Sequence, residues 1–184
     1  MYDDSGNVVG MLEFRSTTLL RMRISKHPNA VALAVLRIAV GLFFTIFGEY
    51  KVFGTQFTLH GGFQEGIKGF LQDGAYPFMV PVLHGILTHG ASAVAFSVAY
   101  GELLIGLSLL SGVLSRVASL FGFLLMTAMW LSGGYPGPHA AFWRYWGASL
   151  NWSILAVCFI VLALGRPEDL WALRSIGVRS SRLG

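Results

Sequence analysis

The sequence predicts an all-α fold, an integral membrane four-helix bundle with interfacial amphipathic helices. Three observations carry this. First, 54% of the 184 residues are hydrophobic and only 12% are charged, about half the charge of a typical water-soluble domain. The mean hydropathy is +0.63, so lipid is the solvent over much of the chain. Second, the apolar residues gather into four runs, each near the roughly 20 residues that a spanning helix needs. Third, the net charge of +4 comes from basic residues gathered mainly toward the two ends of the chain, a pattern that suits an anionic membrane surface better than nucleic acid.

Residues 1–30 read as a basic cytoplasmic N-terminal segment, with an amphipathic piece over 11–26. No cleavable signal is expected, because the first apolar run starts near residue 31 and lacks a short apolar region followed by an A-x-A-like site. The first span covers about 31–53, VALAVLRIAVGLFFTIFGEYKVF. The 54–90 connection is too long for a plain loop. In it Phe63, Ile67, Phe70 and Leu71 recur on one helical face, with Gln64, Glu65, Lys68 and Gln72 on the other. This predicts a short helix lying flat on the outer interface. The stretch YPFMVPVLHGILTH follows. Pro77 and Pro81 break it, and it predicts a second interfacial or partly re-entrant helix.

The second span covers about 91–111 and the third about 113–132. The short turn at Ser111-Gly112 makes them antiparallel neighbours. The fourth covers about 148–165, ASLNWSILAVCFIVLALG. Residues 166–184 form a basic cytoplasmic C-terminal segment. A helix begins there at Pro167, with Glu168 and Asp169 in its first turn.

Basic residues orient the bundle. Nine lie before the first span, at the second-to-third turn (Arg116) or after the fourth span. Only Lys51, Lys68 and Arg144 belong to the other side. Both termini are therefore expected in the cytoplasm, in a multi-pass protein of a bacterial-type cytoplasmic membrane. Trp130, Trp143, Trp146 and Trp152 then gather near the outer interface as an aromatic belt.

Several function classes drop out. Cys158 is the single cysteine, which removes an intramolecular disulfide, a CxxC pair and covalent CxxCH haem attachment. None of the five histidines lies mid-span, which argues against a buried bis-histidine haem. His84 and His89, five residues apart, sit about 140° apart around a helix and do not converge on one metal. They stay as candidates for separate contacts to a cofactor near the outer surface, beside the simpler reading of interfacial polar residues. No metal motif, phosphate-binding Gly loop, nucleophile elbow or dinucleotide fingerprint is present.

The charges inside the spans are the informative residues. Arg37 lies about 9 Å in from the cytoplasmic end of the first span, and Glu102 about 12 Å in from the same side on the second, at 1.5 Å per residue. Matched depth and opposite charge predict an intramembrane ion pair, since an unpaired charge at that depth costs a few kcal/mol. Small residues near both, among them Gly41, Gly48 and Gly106, let the helices approach. Two readings of the pair stand. It fixes helix register, or it is a proton or quinone-headgroup site in which Glu102 carries the proton and Arg37 tunes it. Glu49 and Lys51 read as snorkelling anchors. Phe43, Phe44, Phe47 and Trp130 are candidates to flank a bound ring, and equally ordinary packing residues.

Three segments carry a family likeness: LRIAVGLFFTIFGEYK, GELLIGLSLLSGVLSRVA and LALGRPEDLWAL. Together, over about residues 31–173, they resemble the DoxX/DoxD family of four-helix membrane proteins. Glu102, Gly106, Gly112 and Arg116 fall in matching places of its second-to-third-span signature. Arg37 and Lys51 match the first. The resemblance implies a link to respiratory or sulfur redox chemistry, because DoxD-like members are subunits of thiosulfate:quinone oxidoreductase. Quinone is the cofactor it implies, and Arg37, Lys51, Glu102 and Arg116 are the positions it marks.

The expected function is thus a DoxX-like membrane subunit linked to quinone-dependent redox chemistry, in contact with membrane lipids and other membrane subunits. The alternative is a non-catalytic structural subunit of a larger electron-transfer or photosynthetic complex. A transporter ranks last, because inverted repeats and broken helices are absent. Whether the chain is itself an enzyme stays open at this point.

Overall fold

The computed structural model describes residues 28–147 and 149–165. The two amphipathic terminal segments predicted over 11–26 and from Pro167 lie outside the described residues. Within them the chain is helical: α1 (Pro28–Phe53), α2 (Gly62–Asp73), α3 (Met79–His89), α4 (Ala91–Ser111), α5 (Ser115–Ser132), α6 (Phe142–Gly147) and α7 (Leu150–Leu164). No strand occurs among the described residues.

Three of these helices, α1, α4 and α5, are long and apolar enough to cross a membrane. The fourth predicted span is shorter than expected. It is helical only from Leu150, because α6 ends at Gly147 and Ser149 opens α7 afresh. Its 15 residues reach about 22 Å at 1.5 Å per residue, against a hydrocarbon core of about 30 Å. It is nevertheless strongly apolar and completes a four-helix bundle in which α1 pairs with α4 and α5 with α7. The turn predicted at Ser111-Gly112 is present. Gly112 ends α4 with φ 74°, a left-handed position that glycine takes without a Cβ clash.

Small residues set the α1–α4 pairing. A Cβ built on Gly48 would lie 2.5 Å from the backbone nitrogen of Leu103, and one on Gly106 would collide with Thr45. Gly41 faces Leu109 and Leu110. This ladder runs antiparallel and fixes the register of the two helices. On the other pair, Gly122 of α5 receives the Phe159 ring of α7. Phe159 in turn meets Phe44 edge-on at 4.8 Å, at the centre of a core with Val40, Leu109, Met126 and Leu162. Large apolar side chains on the outward faces, such as Leu42, Ile46, Leu104, Leu124 and Ile154, are exposed. They form the surface that a membrane protein presents to lipid.

A second core sits at one end of the bundle. Phe63 and Ile67 of α2 are buried with Leu83 of α3 and Ala95 of α4, and Phe70 and Leu71 pack against them. The predicted apolar face of α2 is therefore correct, but protein covers it as a cap over the end of the bundle. Backbone bonds from Tyr76 to Leu131 and from Tyr135 to Gly74 tie this cap to the end of α5. Tyr76, Tyr135 and Tyr145 cluster there, with Trp130 against Trp146 at 4.8 Å. Burial, reinforced by Tyr145 and Tyr135, holds the Tyr76 phenol above its ordinary pKa of 10.0, so it stays neutral.

Candidate functional site: a buried Lys51–Glu102 pair on an aromatic cavity

Glu102 is the acid that the sequence singles out, and it is buried, with 4% of its surface exposed. Both of its carboxylate oxygens lie 2.6 Å from Nζ of Lys51. Lys51 stands in the last turn of α1 and Glu102 midway along α4, so the pair bridges the two tightly packed helices. The ammonium donates to both oxygens, a charge-assisted arrangement stronger than a neutral hydrogen bond. On its other side Nζ sits 4.8 Å from the centre of the Phe57 ring, within cation–π range.

The expected partner of Glu102 was Arg37, and the structure corrects this. Arg37 is fully buried but stands fourteen residues before Lys51 on the same helix, about 21 Å away along the axis. Matched depth requires the end of α4 to stand level with the start of α1. The two are not level: Gly41 faces Leu109 and Gly48 faces Leu103, so α1 runs well past the end of α4. Glu102 therefore stands level with the last turns of α1. Lys51, read as a snorkelling anchor, is the residue that meets it, while its neighbour Glu49 is exposed.

The other marked positions fall elsewhere. Gly106 serves the α1–α4 contact and Gly112 the turn. The Arg116 guanidinium donates from Nη2 to the Gly165 carbonyl at 3.2 Å, at the opposite end of the bundle from Lys51. His84 and His89 are exposed on α3, where His89 Nδ1 lies 2.6 Å from the Thr88 hydroxyl. Among the described residues no three His, Cys, Asp or Glu side chains converge as a metal site would require.

The pair forms the polar end of a cavity of about 380 Å³ between all four bundle helices, a volume within the usual range for ligand pockets. Its walls are mainly aromatic and apolar: Phe43, Phe44 and Phe47 from α1, Met126 from α5, Trp152 and Leu155 from α7. Three of the four aromatic residues singled out in the sequence therefore line it. Trp130 does not; its indole N–H donates to the Tyr145 carbonyl. Trp152, expected in the aromatic belt, stands in the cavity wall instead, together with Asn151, which nothing in the local sequence marked. Phe43 and Phe47 are 57% and 58% exposed, so this side of the cavity opens on the lipid-facing surface of α1. A larger groove of about 560 Å³ runs between α4 and α5, bounded by residues such as Gly101, Leu104, Val117 and Phe121. It carries no charged group and lies on the outward face of the bundle.

The arrangement sets an ionisable pair beside aromatic faces in one cavity, the chemistry that an amphipathic ring compound with a polar head would require. The DoxX family profile matches residues 32–134, from α1 through α5, including Lys51 and Glu102. The segment LALGRPEDLWAL, part of the wider resemblance, lies beyond the match. No curated protein and no solved structure matches the chain. The profile spans more than half of the sequence: the chain belongs to the DoxX family.

Proposed function

We propose that this chain is a quinone-binding redox subunit of a bacterial-type cytoplasmic membrane, with its site in the cavity bounded by Lys51 and Glu102. The observation that carries the reading is an acid–base pair, with Glu102 buried, in the wall of an aromatic cavity whose α1 side opens toward lipid. A quinone fits those residues: the volume admits a substituted ring, Phe43, Phe44, Phe47 and Trp152 supply faces to stack on, and the pair supplies polar partners for a ring oxygen. When bound, a quinone supplies two-electron, two-proton chemistry. Lys51 offers a hydrogen bond and positive charge to the oxygen, and Glu102 holds or yields the proton. One proton can sit on the Lys51 amine or on the Glu102 carboxylate, so the pair can release a proton to the ring oxygen and take one up again. The partner chains of such a subunit supply the electron donor or acceptor. The excess of basic residues in the sequence before α1, at Arg116 and after α7 supports an orientation with the Arg116 end in the cytoplasm and the α2–α3 cap outside.

Decylubiquinone is the probe. Added to the purified protein, it should quench tryptophan fluorescence with a saturable curve, and Trp152→Phe should remove most of the change. Lys51→Met should weaken binding by roughly tenfold, the loss of one charged hydrogen bond. Binding that is unsaturable, or unchanged by both substitutions, defeats this reading.

A second reading has its own support. The ion pair is bidentate and ties α1 to α4, so it serves equally as a strut, and the open α4–α5 groove gives a neighbouring subunit an apolar surface. In that case the chain is a non-catalytic structural subunit of a larger membrane complex.

A further inference from the structure

The Lys51–Glu102 pair meets two environments. Toward α7 it borders the cavity, which opens on the lipid-facing side. Away from the cavity the Lys51 ammonium meets the ring of Phe57, in the 54–61 loop that leads to α2. Phe57 is itself held edge-on by Phe63 of α2 at 5.5 Å, and Phe63 is buried in the cap. The Lys51 side chain is 19% exposed against 6% for Glu102. Lys51 is therefore the more exposed partner, and the Phe57 ring packs on its ammonium.

The loop is built as a clasp. Gly54 donates to the Tyr50 carbonyl, Gly62 to that of Gln56 and Phe63 to that of Phe57, so both ends of the turn are tied down. Thr55, at its tip, is held in the left-handed region with φ 52°, a conformation that a β-branched residue keeps only when its surroundings enforce it. Gly54, Thr55 and Gln56 are exposed while Phe57 packs on the cap and Thr58 is buried, so opening this side requires the Phe57 ring to leave Phe63.

We infer that Phe57 is a positioning residue and the aqueous door of the site: its ring holds the Lys51 ammonium on Glu102, and protons pass between the pair and water at the α2–α3 end past that ring. The inference rests on the reading of the pair as the proton-exchanging end of the cavity. The step moves a proton between the pair and water and changes no other bond. The titratable groups around the door are Lys51 itself, Glu102 across from it on α4, the exposed Glu49 two residues back on α1, and the exposed His60 of the same loop, whose Nδ1 lies 3.2 Å from the Thr55 carbonyl; Phe57 and Phe63 present only rings.

Amine labelling tests this without any ligand. The protein is placed in phosphatidylcholine nanodiscs, where lipid seals the lateral opening and both aqueous faces are accessible. A sulfonated, membrane-impermeant amine reagent is added, and labelling of Lys51 and of the exposed Lys68 is followed by peptide mass spectrometry. In the unaltered protein Lys51 should react at least about tenfold more slowly than Lys68, as expected for an ammonium held by a carboxylate and a ring. Its rate should level off as reagent concentration rises, because door opening becomes limiting, while that of Lys68 rises in proportion. Phe57→Ala should remove most of the difference, and Phe57→Trp should retain it. Lys51 labelling that rises in proportion to reagent, or a Phe57→Ala protein with unchanged Lys51 protection, overturns the door. Decylubiquinone binding measured on the same samples reports separately on the quinone reading, so either can fail alone.

Discussion

Replacing Lys51 with Met while Glu102 stays in place should cost about 3–5 kcal/mol of stability, the usual penalty for stranding one member of a buried ion pair. Glu102 has 4% of its surface exposed and both oxygens committed to one ammonium. Stranded at that burial, the carboxylate is too poorly solvated to recover the loss. The double change Lys51→Met with Glu102→Leu should restore most of it, because an apolar pair of similar volume removes the desolvation cost on both sides. Unfolding in mixed micelles, with all four proteins of the cycle, gives the coupling directly. Arg37→Met should show no such coupling to Glu102→Gln, since the two are far apart. Additive loss for Lys51 and Glu102, or coupling between Arg37 and Glu102, refutes the assignment of partners. The same proteins separate the two functional readings. If the pair is only a strut, the restored double variant binds decylubiquinone as the unaltered protein does. If the pair serves the cavity, the double variant is stable but loses binding.

Gly106→Val should disable the bundle through a different route. A side chain at that position meets the Thr45 backbone and, at 2.9 Å, the carbonyl of Gly41. Backbone cannot swing aside as a long side chain does, so α1 must move off α4. Overpacking of this kind costs about 3 kcal/mol or more where no relaxation is available, and in lipid close packing is itself the main force holding helices together. Displacing α1 also carries Lys51 away from Glu102, so the damage reaches the site. Gly101→Ala is the matched control. It lies on the same helix, but its added methyl meets nothing within 4 Å, and it should change stability by no more than about 0.5 kcal/mol. Equal effects of the two changes, read as thermal midpoints in detergent, would show that the glycine ladder does not set the helix spacing.

The family match and the three long spans were legible because they are local properties. A run of twenty apolar residues announces a membrane helix wherever its neighbours lie. Ser111-Gly112 announced its turn through glycine's access to the left-handed region. The α2 face was legible for the same reason: Phe63 and Ile67 share a side of the helix whatever covers them. Its covering was not, since an amphipathic face looks alike to lipid and to a protein cap. The start of α7 was misplaced because composition does not reveal the break at Gly147 and Ser149.

Glu102 stood out unaided as an acid inside an apolar run, and its need for a cation followed from electrostatics alone. Which cation answered it was a question of register between two helices joined by a long connection. Counting inward from the predicted ends selected Arg37. The Gly41, Gly48 and Gly106 contacts slide α1 along α4 and select Lys51. Trp152 and Asn151 enter the cavity only because α7 packs across α5 and α1.

The sequence by itself thus determined the solvent of this protein, its helices and the residue around which its chemistry gathers, because each depends on the side chains of one segment. Only the tertiary structure decided the partner of that residue, the cavity it borders and the Phe57 ring behind it. Those depend on the axial offset between packed helices, which no single segment encodes.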